Sequence, residues 1–268
     1  MTGLQTRIVQ VSDVCIRFCS RVLVIATVFI MLSPVLIVAL LSFSNQTFME
    51  FPPTEWGFRQ YVYFVSADEW IDAVKLSFVI GAGASILAIA VAVPAVMALY
   101  RTAVPGQATI AFAATVPLLI PHVAYAVGMY GVIADAGLVA TRTGLILSHV
   151  AITFPLIFLL VSAGIMRISE DLELVAMTLG SSRIRAWIGI TLRLLLPAIG
   201  SGALLAFVTS FDEAVFASFL GGPGLVTLPK AIFDSVLLGV DPVITAIATI
   251  LIFSTGAVIG CASWLQRR

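Results

Sequence analysis

Two adjacent acids, Asp212 and Glu213, follow Phe211 inside a long apolar run, and they are the residues best placed to do chemistry. An acid at the centre of a membrane helix costs about 2.5–3.5 kcal/mol on insertion scales, so it faces a cavity, a partner or water. One reading makes Phe211, Asp212 and Glu213 the lining of a path that attracts a cation. Another makes the acids a structural polar contact with a partner subunit, or a helix end already in water. The two histidines, His122 and His149, stand alone in apolar runs and read as structural. Cys15, Cys19 and Cys261 show no metal-ligand spacing, because CxxxC with no histidine or cysteine beside it is a weak signal. No metal is therefore expected. No Ser/His/Asp or Cys/His grouping points to catalysis, and no G-x-x-x-x-G-K-S/T phosphate loop is present. The sequence reads as a non-enzyme with no cofactor of its own.

The elements that must position these residues are membrane helices. Of 268 residues, 60% are hydrophobic and 10% charged, against about 25% charged in soluble domains. Such a chain cannot cover itself with polar surface, so its solvent is lipid. A net charge of zero argues against nucleic acid, whose phosphates demand a basic surplus. At about 20 apolar residues per crossing, six spans are expected. They are Val22 to Phe43, about Ala73 to Tyr100, about Ala108 to Ile133, about Leu145 to Met166, about Leu194 to Leu220, and about Pro242 to Trp264. Pro94, Pro117, Pro121 and Pro155 fall inside these runs, where neighbouring helices satisfy freed carbonyls. Small residues at Gly81 to Ser85 and Gly200 to Ala203 predict close helix packing. The fold class is all-α, with residues 1–268 as a single polytopic domain. The stretch before Val22 has too long a charged region for a cleaved signal peptide, so the first span is expected to stay.

Lys and Arg set the orientation. With six spans, one side holds Arg7, Arg17, Arg21, Arg101, Arg167, Arg183, Arg185, Arg193, Arg267 and Arg268. The other holds Arg59, Lys75, Arg142 and Lys230. This places both termini in the cytoplasm. The outer loop from Ser44 to Asp72 mixes Trp, Tyr and Phe with a few charges, and reads as an interfacial helix or a docking surface.

Between spans four and five, about residues 167–193, the sequence turns polar. Leu172, Val175, Ala176 and Leu179 recur at i, i+3, i+4 and i+7, one stripe of a helix. Glu170, Asp171 and Glu173 load its first turn with acid, which suits the positive end of the helix dipole. Ser169 is expected at the N-cap and Gly180 just past the C-cap. Ser181 or Ser182 then caps a second short helix carrying Ile184, Trp187 and Ile188. The segment exceeds the roughly 2–8 residues of ordinary helix connections. It is either an amphipathic connector lying on the membrane or a knob offered to a cytoplasmic partner.

The stretch ELVAMTLG, Glu173 to Gly180, resembles the Glu-Ala-Ala…Gly motif of ABC-importer permeases. Ala176 and Gly180 match directly. Leu174 stands where the motif usually has its Glu, with Glu173 one residue earlier, and Val175 stands where it has Ala. Ile190-Thr191-Leu192-Arg193 resembles the downstream Ile/Val-Thr-Leu-Pro with the proline replaced, and Pro197 agrees with a later one. Ser210 to Glu213, Gly222-Pro223, Thr227 to Pro229, Asp241-Pro242 and Phe51-Pro52 resemble hallmarks of the spermidine/putrescine-type permeases.

The resemblance implies a MetI-like fold of six transmembrane helices with a cytoplasmic coupling-helix hairpin, in the inner membrane of a bacterial cell. It implies that Glu173, Ala176, Leu179, Gly180, Ser181 and Arg183 form the ATPase-coupling surface. It implies a second permease subunit, two cytoplasmic ATPases that bind the ATP, and an external binding protein. The expected cargo is a small amine such as spermidine or putrescine, with opines, 4-aminobutyrate or aminophosphonates as the alternative. A secondary transporter working alone is a weaker reading. Such proteins commonly show inverted repeats or broken midplane helices, and no clear internal repeat is present.

Overall fold

The computed structural model describes residues 2–239 and 241–266, with side chains from Arg17 to Gly239, from Asp241 to Ala257 and at Gly260. The side chains of Arg7, Cys15, Cys261, Trp264, Arg267 and Arg268 lie outside the described residues. In chain order the helices are α1 (Thr2–Leu41), α2 (Arg59–Ser66), α3 (Asp68–Arg101), α4 (Gln107–Thr115), α5 (His122–Asp135) and α6 (Arg142–Ile165). They continue with α7 (Asp171–Thr178), α8 (Arg183–Ala186), α9 (Leu192–Phe211), α10 (Val215–Leu220), α11 (Leu228–Leu238) and α12 (Val243–Gln266). A 3-10 turn, Val116–Leu119, extends α4, and a π-helical turn, Trp187–Thr191, joins α8 to α9. The fold is all-α, as the sequence implied.

Four helical stretches are long and apolar enough to cross a membrane: Arg17–Leu41, Asp68–Arg101, Arg142–Ile165 and Arg183–Phe211. The third expected span is not straight. Gln107–Leu119 and His122–Asp135 meet at a 109° bend and make a fifth crossing only if taken as one broken span. The cause is Pro121. It pushes Ile120 out of the helical region to ψ 130°, and it offers no N–H to continue the turn. Pro94 and Pro155, in contrast, sit inside continuous helices. The fifth expected run also breaks early, at Asp212, and α10 is a separate short helix. At the sixth position the apolar part of α12 among the described residues is the shorter stretch Val243–Ala257. The described residues thus supply four straight spans, or five with the bent pair, where six were expected.

The chain sorts into two compact units, Met1–Asp68 with Ser235–Arg268, and Glu69–Asp234. In the first, α12 packs on α1 and α2. The outer loop does contain a helix, α2. Gln60 Nε2 pins it by donating to the carbonyls of Ser44 at 3.2 Å and Gln46 at 2.8 Å.

The second unit is built on α3, α6 and α9. Ala84, Ala88 and Ala92 repeat every four residues along α3 and are fully buried, so one stripe of α3 presents only methyl groups and neighbours approach closely. Ala88, Val96, Ile157, Phe158, Val161, Leu195 and Ala206 form one core. Leu76, Ile80, Ala126, Leu145, Phe216 and Leu220 form a second, which holds α5 and α10. The small-residue expectation holds in part. A Cβ on Gly81 would stand 3.1 Å from the Phe207 ring, and one on Gly202 would stand 3.5 Å from Ile157 Cα, whereas Gly200 faces open space.

Candidate functional site

The polar hairpin between α6 and α9 is held from inside by one carboxylate. Glu173 is on α7 and is buried. Its Oε1 accepts from Arg101 Nε at 2.7 Å and from the Thr191 hydroxyl, and its Oε2 accepts from Trp187 Nε1 at 2.8 Å. Arg101 ends α3, and its side chain is 5% exposed. It also donates through NH2 to the Ile168 carbonyl at 2.8 Å and lies 3.5 Å from Glu170. Trp187 and Thr191 bound the π-helical turn, in which the Leu192 N–H reaches back to the Trp187 carbonyl. One ion pair therefore ties the end of α3, the turn after α6, α7 and the start of α9. An isolated eight-residue helix does not hold its shape in water; α7 holds it through this anchor.

The turn between the short helices is set by Gly180, at φ +90°. The Ser181 N–H bonds the Ala176 carbonyl and the Gly180 N–H bonds the Met177 carbonyl, both at 3.0 Å, which is the Schellman C-cap. Ser182 caps α8 by accepting from the Arg185 N–H. Ser169 is not the N-cap of α7. Glu170 holds that position, and the Ser169 hydroxyl accepts from the Asp171 N–H at 3.2 Å and donates to the Asp171 carboxylate. The short polar chain of Ser169 closes a local turn one residue ahead of the helix.

The apolar stripe read from the sequence points outward. Leu172, Val175, Ile184 and Ile188 are exposed and Leu179 is 83% exposed, while Trp187 is half-buried and turned inward; Leu174, off the stripe, is exposed as well. Ala176 is half-buried, while Gly180, Arg183 and Arg185 are exposed and Ser181 is half-buried. The hairpin buries the Glu173 carboxylate and displays its apolar side chains beside the exposed charges of Glu170, Asp171, Arg183 and Arg185. Glu173 is the exception among the expected coupling residues, since its carboxylate is committed inward. Arg101, Trp187 and Thr191 were missed as its partners. The available signal was an arginine closing a long apolar helix with no nearby acid of its own.

The second candidate group lies where α9 stops. Phe211 is its last residue, half-buried, with its ring 5.3 Å from Phe78 and 5.8 Å from Phe207. Asp212 is exposed, and no ion pair to it forms among the described residues. Glu213 is buried. Its Oε1 accepts from the N–H groups of Val215 at 2.6 Å and Phe216 at 3.3 Å, and its Oε2 lies 2.9 Å from His122 Nδ1. The structure thus separates the two acids, one to solvent and one inward. His149 is a buried ring whose Nδ1 lies 2.7 Å from the Ser210 hydroxyl. Among the described residues no group of three or more His, Cys, Asp or Glu side chains is placed to hold a metal.

No family model matches the chain. It is 34% identical over 223 residues to the putrescine transport system permease protein PotI of Escherichia coli, covering 78% of this chain and 76% of that protein. It is 27% identical over 236 residues to the spermidine/putrescine transport system permease protein PotC of Haemophilus influenzae, covering 88% and 91%. Its fold is similar to a chain of a bacterial ABC transporter involved in the import of the acidic polysaccharide alginate, with a TM-score of 0.70, 16% identity, and coverage of 96% of this chain and 97% of that one. That last likeness is one of fold.

Proposed function

We propose a role for this chain from its membership of a family: it belongs to the spermidine/putrescine-type permeases of binding-protein-dependent ABC importers. On that premise it forms half of the translocation pathway of an ATP-driven importer for a small amine such as putrescine or spermidine. It lies in the bacterial inner membrane, with both termini and the hairpin in the cytoplasm. Its partners are a second permease subunit of different sequence, two cytoplasmic ATPases and an external binding protein. The chain is non-catalytic and carries no cofactor; the ATPases hold the ATP.

The observation that carries this reading is the inverted hairpin. Leu174, Val175, Leu179 and Ile184 face outward around a turn whose inner side is fixed by the Arg101–Glu173 pair. A rigid apolar knob rimmed by Arg183 and Arg185 suits insertion into a cleft on a soluble motor. ATP-driven closure of the motors moves the knobs, and the anchor passes that motion to α3 and α9. Phe211, Asp212 and Glu213 stand at a helix break, where half-helix ends commonly bind charged cargo in transporters.

The test is assembly and coupling. The chain co-expressed with its ATPase and partner permease is expected to co-purify with the ATPase, and putrescine-loaded binding protein is expected to raise ATP hydrolysis in proteoliposomes. A chain that transports putrescine alone, with no ATPase attached, overturns the reading.

A further inference from the structure

Two helix breaks meet at one ion pair. Pro121 closes the bend and leaves His122 as the first residue of α5, and residues 212–214 separate α9 from α10. The pair joining them is asymmetric. The Glu213 side chain is 5% exposed and is held in place by two backbone N–H groups on Oε1, while the His122 side chain is 58% exposed. A fixed anion whose side-chain partner among the described residues is itself mostly exposed is an exchange site: the imidazole can leave without the carboxylate having to move.

The surroundings support exchange rather than a permanent lock. From α5, Tyr125 directs its hydroxyl to the Ala151 carbonyl at 3.2 Å. From α6, the His149 ring is taken by Ser210 on one nitrogen, and its other nitrogen, Nε2, is buried without a partner. From the end of α9, Asp212 is an exposed acid that adds negative charge beside Glu213 in the chain. α10 brings backbone N–H groups and no charged side chain. Asp135 and Arg142 belong to the far end of α5 and the first turn of α6. From α3, which packs on Phe211 through Phe78, Lys75 is paired with Asp72 at 2.9 Å. His122 is the side chain seen paired with Glu213 among the described residues.

We propose that His122 is the displaceable counter-ion of Glu213, and that an ammonium group of the cargo takes its place at Oε2 during passage. This rests on the reading of Phe211 to Glu213 as pathway lining. The imidazole and the ammonium group compete for the same carboxylate oxygen, Oε2 of Glu213.

The experiment uses the assembled importer in proteoliposomes with saturating putrescine-loaded binding protein. Uptake is followed for wild type, His122→Gln, His122→Arg and Glu213→Gln, with ATPase turnover and subunit stoichiometry confirming assembly. Glu213→Gln is expected to slow uptake. His122→Gln is expected to run about fivefold faster than wild type, the factor that about 1 kcal/mol of lost competition gives. His122→Arg, a permanent cation, is expected to run slower than wild type. If Glu213→Gln transports normally, the pathway reading falls and this inference with it. If Glu213→Gln is slow but His122→Gln transports at the wild-type rate, or assembled His122→Arg matches wild type, the pathway reading stands and the counter-ion role is overturned.

Discussion

Removing the Glu173 carboxylate isolates the hairpin anchor from everything else in the fold. Glu173→Ala leaves the Arg101 guanidinium buried without its ion partner and strips the acceptor from Trp187 and Thr191. Breaking a buried pair on one side costs about 3–5 kcal/mol. Arg101 keeps the Ile168 carbonyl and stays 3.5 Å from Glu170, so the lower end applies, about 3 kcal/mol. At 1.4 kcal/mol per factor of ten, the open population of the hairpin rises by roughly a hundredfold. Trypsin reads that population at Arg183 and Arg185, because cleavage follows the opening equilibrium when reclosing is fast. In inside-out vesicles stripped of ATPase, cleavage there is expected to accelerate by about two orders of magnitude, with uptake lost in the assembled importer. Glu173→Gln keeps the shape and part of the acceptor capacity, and is expected to cost about 1–3 kcal/mol. Replacing both partners by apolar residues, Arg101→Leu with Glu173→Leu, recovers much of the loss, because no charge is then stranded. If Glu173→Ala matches wild type in both cleavage and uptake, the carboxylate does not hold the hairpin.

Other outcomes follow from the same geometry. Gly180→Val forces a β-branched residue to φ +90° and costs at least about 1–2 kcal/mol of backbone strain. No neighbour stands within 4 Å to clash with it, so membrane insertion is expected to be normal while uptake is abolished; normal uptake counts against a coupling role. Leu179→Asp, at an exposed site, changes fold stability by no more than about 0.5 kcal/mol. It is expected to cost about 2 kcal/mol or more in ATPase binding, measured by co-purification yield against salt. Gly202→Leu overpacks α9 against Ile157 by about 1–3 kcal/mol, whereas Gly200→Leu enters open space. Thermal aggregation of the detergent-solubilised chain is expected to separate the two.

How far the sequence reached depended on the range of the forces involved. The glycine turn at Gly180 is local and was legible, and the second cap was narrowed to Ser181 or Ser182, of which the fold uses Ser182. The pairing of Glu173 with Arg101 spans 72 residues, and no helical periodicity encodes it. The apolar stripe of α7 was found correctly, but its direction depends on what covers it, and in a single chain the anchor turns it outward. The prolines divide in the same way. Pro94 and Pro155 lie inside continuous helices, while Pro121 forces Ile120 extended and breaks the span. Glu213 read as one of two adjacent acids and His122 as a lone histidine, because the contact between them exists only once both helices have broken.

The bond between Arg101 and Glu173 also makes α3 a lever arm. Its 34 residues span roughly 50 Å at about 1.5 Å per residue. A tilt of about 10° imposed where Arg101 grips the hairpin would sweep the opposite end, near Trp70, through roughly 9 Å. A displacement of an ångström or two at the hairpin, too small to open a passage by itself, would be multiplied along the length of α3.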